Sequence, residues 1–495
     1  MTNSASSKGA TDNRAVDRKP DESAVNHIAA NHSDTNHIAV GIVADDLTGG
    51  GDSAVQFARD GWRTRLALTP PDGQVLSHGA VLAVVSDARA QPAPLARQST
   101  SDAVEALGDA GVNRLLLKID STMRGSAHAQ ILGALKTWQR RNPAAFAVVC
   151  PAYPAMGRTV HNGRVLVNGE GVDTTAVGID PVTPVTTNLL RELVPGSVHV
   201  TLGTGTAVEH AEQLRAAGEN PTRVVTVDAQ TDADLLALAA AVAVLGAEAV
   251  PAGSAGLAVA LSQVWRPALA GVVAQPRQRA ERVIVVVSSL HDMSRAQYDH
   301  LVDNTPTEHV RRFAPSLAML LTSGAIVDWI TEELAAAPDL PAVVIVATPS
   351  ERPAASAVET GRAQTPTQPQ TPTQPQTPTQ PQTPSQTAAI IIAAGLAAIT
   401  AAVFAHRPVG AVVLMGGEGA RAVLDRFAAG SIMVTNAIRE GIPVGLIEGG
   451  LADGLTVVTK AGGFGSTASI SDILPELLAD HVLSPPANPN TGVQP

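Results

Sequence analysis

The sequence predicts an α/β protein of two domains, each with a mainly parallel β-sheet flanked by helices. Three observations carry that expectation. Short apolar runs rich in β-branched residues recur, among them IAVGIVA at 38–44, VLAVVS at 81–86, RLLLKI at 114–119 and AFAVVC at 145–150. They lack the polar alternation of a sheet face open to water, so each reads as a strand buried on both faces. Helical or loop stretches separate them, such as SAVQFARDG, which closes at Gly61, and that alternation is the mark of a parallel sheet. Finally, 495 residues suggest two or three domains at roughly 100–200 residues each.

The pattern continues through VVTVDA (224–229), AEAVPAG (247–253) and RVIVVVSS (282–289) to AVVIVA (342–347) and GAVVLMGG (410–417). The polar stretch QPRQRAER at 275–282 interrupts it and marks the domain boundary, with one domain over 37–275 and the other over 280–480. Residues 1–36 are polar and without apolar period, and are expected to be disordered. Residues 349–387 carry a PTQPQT repeat, read as an extended, solvated insertion or a docking segment for a proline-recognising partner. The tail over 485–495 is expected to be loose.

Composition excludes several classes. The net charge is −11, which repels phosphate backbones and argues against general nucleic-acid binding. A single cysteine, Cys150, forbids an internal disulfide and any cysteine cluster for a metal, and suits a reducing compartment. The polar N-terminus has no signal-peptide core, so a cytoplasmic protein is expected. The uncharged run AAIIIAAGLAAITAAVFA at 388–405 is just long enough to span a bilayer. Its Ala, Gly and Thr content and the lack of flanking basic clusters favour a buried helix of the core instead.

Polar loops follow the strands, where α/β folds place their chemistry. ADDLTGGGD at 44–52 offers glycines for close approach and a helix start for an anion. Asp45, Asp46 and Asp52 can each accept a hydroxyl hydrogen bond, and one could act as a base; Asp52 could instead cap the helix. KIDSTMRG at 118–125 sets Lys118 and Arg124 on one turn, a clamp for carboxylate or phosphate. SDAR at 86–89 is a shorter loop of this kind. PAYPAMGRT at 151–159 presents Arg158 before a hairpin with an Asn162-Gly163 turn, with Tyr153 read as packing. In the second half, MGGEGA at 415–420 and KAGGFG at 460–465 are glycine loops after strands. Neither has Walker A spacing, and no Rossmann fingerprint follows the first strand, so hydride transfer is not favoured.

Taken in order, these segments resemble the four-carbon acid sugar kinase family. ADDLTGGGD is similar to its ADDLTGA-x-D, KIDSTMRG to its K-x-D-S-T-x-R-G, and PAYPAMGRT to its P-A-[FY]-P-x-x-G-R-T. VDAQTDADL, AGSAGLA, SSLHDMSRAQ and KAGGFG match further motifs. The departures lie mainly in the second half, where Met415–Ala420 stands for a usual T-G-G-D-T-A.

The resemblance implies a sugar-acid-binding N-terminal domain, an ATP-binding C-terminal domain and an active site in the cleft between them. It implies ATP and Mg²⁺ as cofactors, a small sugar acid as substrate, no nucleic-acid or membrane partner, and leaves room for a homo-oligomer. By it, Asp45, Asp46, Arg89, Lys118, Asp120, Ser121, Arg124, Gly157 and Arg158 face the sugar acid, and Ser289, Gly416, Gly417, Glu418, Gly462 and Gly463 face the nucleotide. The catalytic expectation falls on Asp46, Asp45, Lys118 and Arg124. No residue is expected as a dedicated metal ligand. The implied activity is phosphorylation of the terminal hydroxyl of threonate or erythronate. A 3-oxo-tetronate kinase and a non-catalytic binder are the alternatives.

Overall fold

The structure, a computed structural model, describes residues 38–69, 75–180, 182–266, 279–322, 324–349 and 384–479. The expectations for 1–36, for 485–495 and for the PTQPQT repeat lie outside the described residues.

The N-terminal half contains β1 (Ala39–Ala44), β2 (Arg63–Ala67), β3 (Ala80–Val85), β4 (Arg114–Lys118) and β5 (Phe146–Cys150). Then come β6 (Arg158–His161), β7 (Arg164–Val167), β8 (Glu170–Gly171), β9 (Val198–Val200), β10 (Val224–Val227) and β11 (Ala249–Gly253). The C-terminal half adds β12 (Val283–Val287), β13 (Val310–Phe313), β14 (Val343–Ala347), β15 (Ala411–Met415), β16 (Ser431–Arg439), β17 (Ile442–Glu448) and β18 (Thr456–Lys460). Four helices matter below: α1 (Leu47–Arg59), α2 (Asp292–Asp303), α3 (Pro384–His406) and α4 (Gly417–Arg426).

The α/β class holds, with parallel strands and covering helices. Strands β1, β5, β12, β14 and β15 are buried along their whole length, which explains their unbroken apolar sequences. The two expected sheets are joined: fifteen strands form one sheet in the order β13-β14-β12-β15-β18-β17-β16-β2-β3-β1-β4-β11-β5-β10-β9. The seam is antiparallel, with β16 on β2 from Ser431↔Ala67 to Val434↔Thr64 and β17 between β16 and β18. Bulges interrupt β16 at Val434/Asn436 and Ala437/Arg439 and increase the local twist.

This order sets the sites. Strand β1 lies between β3 and β4, and β12 lies between β14 and β15, so the chain leaves in opposite directions on either side of each. Such switch points open a crevice beyond the carboxyl ends of the strands. Helix α3 is the uncharged run. Length and hydropathy alone would let residues 388–406 cross a membrane. In the structure Leu396, Ile399 and Val403 are fully buried, and the helix packs on α4, on the helices Leu317–Leu321 and Ala325–Ala336, and on β12 and β14. One side of the helix is built into the core, while Ile390 on it is exposed.

The expected hairpin is present: β6 and β7 pair from Arg158↔Val167 to His161↔Arg164. Asn162 and Gly163 both have positive φ, 49° and 68°, as a type I′ turn requires.

Candidate functional site

The β1–α1 junction begins the site. Asp46, rather than Asp52, is the N-cap of α1: its Oδ1 accepts the Gly49 N–H at 2.7 Å. The helix therefore starts at Leu47 and absorbs Gly49–Gly51 into its first turns, earlier than the glycines suggest. Gly49 is needed there for room, because a Cβ would sit 2.6 Å from Lys118 Nζ.

Two further loops meet this one. After β3, Arg89 grips Asp45 with two hydrogen bonds of 2.9 and 2.8 Å and also donates to Asp46. At the end of β4, the Lys118 ammonium lies 3.8 Å from Asp45 Oδ1. Two residues on, Asp120 takes a bidentate pair from Arg124 at 3.1 and 2.9 Å and accepts both the N–H and hydroxyl of Thr122. Such forked, charge-assisted contacts fix the guanidinium planes.

The electrostatics follow. Burial pushes the Asp46 carboxyl up, but Arg89 and Lys118 outweigh it and leave Asp46 below the ordinary range. Asp120 is likewise buried yet held well below that range by Arg89 and Arg124. Asp52 goes the other way. Burial raises it to about 6, Lys118 opposes the rise, and Glu440 and Asp46 add to it. Its Oδ1 is buried with no hydrogen-bond partner among the described residues.

Six of the residues expected at the sugar acid line one cavity of ≈ 80 Å³: Asp46, Arg89, Lys118, Asp120, Ser121 and Arg124. That volume is far below the roughly 300–1,000 Å³ of a drug-sized site, so it suits a small polar ligand. Asp45 stands behind the wall, 1% exposed, holding Arg89. Gly157 and Arg158 do not line the cavity. Arg158 turns back to donate to the Met156 carbonyl. Gly157, at φ 69°, packs so closely on Asn168 that a Cβ would meet its Oδ1 at 2.0 Å.

The opposite wall comes from the C-terminal half: Gly441 in the β16–β17 turn, Pro443 in β17, Thr459 in β18, and Ala461 and Phe464 after it. Thr48, Gly49, Asp52, Tyr153, Ser254 and Ala255 complete the lining. Tyr153 packs as expected, 5% exposed, and its hydroxyl also donates to Glu440 at 2.8 Å. Its place beside two prolines gave only the packing signal. Gly441 and Pro443 left none, because the antiparallel seam carries no loop motif.

The residues expected at the nucleotide form a neighbouring cluster and do not line that cavity. Gly416, at φ 103°, allows the β15–α4 turn to close on Ser288 and Ser289; a Cβ would come within 2.6 Å of Ser288 Oγ. A Cβ on Gly462 would sit 2.3 Å from Ser289 Oγ, and one on Gly463 3.1 Å from His291 Nε2. Ser294, on α2, donates to the Gly462 carbonyl at 2.8 Å. Helix α4 begins without a side-chain cap, which leaves its first N–H groups free for an anion. Glu418 sits in that first turn, its carboxyl raised by burial. Burial lowers Lys460, at the end of β18, to about 8. Gly417 faces Thr48 of the first loop, 3.9 Å from the place a Cβ would take. The two clusters are thus adjacent.

A polar cavity at one switch point, beside a glycine-lined helix start at another, is the layout of a small-molecule group-transfer enzyme. A family model described as a sugar-binding N-terminal domain matches residues 40–261. One described as a nucleotide-binding C-terminal domain matches residues 284–470. The chain is 38% identical to D-threonate kinase of Bordetella bronchiseptica, over 86% of this chain and 94% of that one. It is 27% identical to D-threonate kinase of Salmonella typhimurium, over 88% and 97%. More distant relatives are named D-erythronate kinase and 3-oxo-tetronate kinase. A solved Salmonella typhimurium structure, 20% identical, superposes with a TM-score of 0.69 over 89% of this chain and 99% of that one, which supports the fold. The chain belongs to the four-carbon acid sugar kinase family, and its class is that of phosphotransferases acting on an alcohol group.

Proposed function

We propose that the protein transfers the γ-phosphoryl group of ATP to the terminal hydroxyl of a four-carbon sugar acid, with D-threonate the favoured substrate. The observation that carries this reading is the cavity itself: six residues from three strand-end loops, expected at the acid, line one small space that the nucleotide-side half closes. The 38% identity to a D-threonate kinase across nearly its whole length favours that acid.

The roles follow from the chemistry of the residues. Lys118 and Arg124 hold the substrate carboxylate and neutralise the migrating phosphoryl group, and Arg158 stands nearby as a further cation. Asp45, Asp46 and Asp120 hold the cations in place, and Asp46 and Asp120, which line the cavity, accept hydrogen bonds from the acid's hydroxyls. The uncapped start of α4, with Gly416, Gly417, Gly462, Gly463 and Ser289 around it, suits a triphosphate, since backbone N–H groups bind it without side-chain bulk. Among the described residues no three His, Cys, Asp or Glu converge as a ready-made metal site. Mg²⁺ is therefore assigned to the nucleotide's phosphates, with Glu418 as the carboxylate of this loop that would hold it. Bound ATP and Mg²⁺ would supply the phosphoryl group and shield its charge. The protein works in the cytoplasm, where ATP is supplied.

The test is ADP release with ATP, Mg²⁺ and a panel of D-threonate, L-threonate, D-erythronate and oxo-tetronates. Turnover is expected with D-threonate. Folded protein that is silent across the panel, yet binds the acids, would overturn the kinase reading in favour of a binder.

A further inference from the structure

We propose that Asp52 is the general base of this transfer, taking the proton of the attacking sugar-acid hydroxyl. The inference rests on the kinase reading above. Four carboxylates stand at the cavity, and in three of them both oxygens already accept hydrogen bonds. Asp45 gives both to Arg89. Asp46 gives one to the Gly49 N–H and the other to Thr48 and Arg89. Asp120 gives both to Arg124 and one also to Thr122. Against the base role expected of Asp46 or Asp45, this favours a carboxylate with an oxygen left open: a base works within hydrogen-bond reach of the proton.

Asp52 meets that condition. It lines the same cavity, and its Oδ1 is buried without a partner. A buried carboxylate oxygen left unpaired is costly, and persists where a ligand hydroxyl completes it. Its neighbours place it at the junction of the halves. A Cβ on Gly51 would lie 3.3 Å from both Pro443 of β17 and Thr459 of β18. The acid held by the N-terminal loops would meet there a phosphoryl group held by the C-terminal ones.

In the step, the hydroxyl oxygen forms its bond to the γ-phosphorus of the nucleoside triphosphate, and its proton passes to Asp52 Oδ1. The bond from that phosphorus to the bridging oxygen breaks, and the oxygen leaves with the electron pair as nucleoside diphosphate. Asp52 returns the proton to water as products depart. The groups facing it are Lys118, which favours its charged form, and Glu440, Asp46 and Tyr153, of which both carboxylates disfavour it. A carboxyl near 6 is mostly ionised at neutral pH yet basic enough to help, which is where general bases work best.

Asp52→Asn keeps the side chain's shape. It is expected to bind D-threonate, measured by calorimetry without nucleotide, within about threefold of wild type, while kcat falls about 10²–10⁴-fold. The acid limb of the wild-type kcat/KM profile should have its midpoint near pH 6, rate rising with pH. In the wild-type protein, ¹³C-carboxyl NMR, assigned by difference from Asp52→Asn, should show a titration near 6 that the acid perturbs. Retention of more than about a tenth of wild-type kcat, or titration near the ordinary value of about 4, overturns the proposal. So does parallel loss of binding and turnover, which would make Asp52 a positioning residue. Failure of the kinase reading is distinguishable, because it would silence the wild type while the NMR titration still reports on Asp52.

Discussion

Two glycine-containing strand–helix junctions of this chain, β1–α1 and β15–α4, are built differently. At the β1–α1 junction, three carboxylates hold two arginines, and Lys118 lies alongside with its side chain 6% exposed. At the β15–α4 junction, Ser288, Ser289 and glycine backbone surround an uncapped helix start. Fixed side-chain charge suits a small acid that must be told from others by the placement of its hydroxyls. Backbone N–H groups suit a triphosphate that is the same for every kinase. The contrast predicts that the first junction is fragile to loss of charge and the second to loss of space.

Removing Arg89 breaks the contrast most severely. Arg89→Ala leaves the buried Asp45 and the half-buried Asp46 without their guanidinium partner, which should cost about 3 kcal/mol of stability. Binding of the acid, followed by calorimetry, should be lost. A variant that folds and binds normally would show that the ion-pair network is not the recognition device.

Asp52→Asn should have the opposite sign on stability. The folded pKa of Asp52, about 6, stands above the ordinary value of 3.8, so the neutral form is the one folding favours. The stability it contributes is fully present below about pH 4 and lost as pH rises through 6. Asparagine removes that loss, and should stabilise the protein by roughly 3 kcal/mol at pH 8 and by little at pH 3. Denaturant unfolding at the two pH values measures it. Gain of stability with loss of turnover is the signature of a strained functional group.

Gly416→Ala probes the second junction. At φ 103° and with a Cβ only 2.6 Å from Ser288 Oγ, alanine strains the turn by about 1–3 kcal/mol. The KM for ATP should rise about 10–100-fold while the affinity for the acid is unchanged. Equal loss of both would mean that the junctions are not separable.

What the sequence made legible was the set of parallel strands and the loops after them. Runs such as AVGIVA and VVIVA are apolar on both faces because both faces are covered. The loop ADDLTGGGD carries its polar groups immediately after such a run. The antiparallel seam was not legible. Strand β2 reads RTRLA, half exposed, and β16 mixes buried Ile432 and Val434 with exposed Met433, so neither stands out from a loop. Gly441 and Pro443 entered the cavity unannounced for that reason. The choice between Asp46 and Asp52 as helix cap was not legible either. Both precede apolar residues, and only the Gly49 N–H contact places the start at Leu47. Which aspartate keeps a free oxygen depends on where Arg89 reaches, across 44 positions of sequence to Asp45.

The central claim is that the cavity directs the terminal hydroxyl of a four-carbon acid toward the nucleotide-side loops. It is tested most directly by locating the phosphate in the product made from ¹³C-labelled D-threonate, ATP and Mg²⁺. The account predicts a ¹³C NMR spectrum in which the terminal carbon alone shows the two-bond coupling of a phosphate ester. Coupling at an inner carbon, or no ester at all from folded protein, would contradict it.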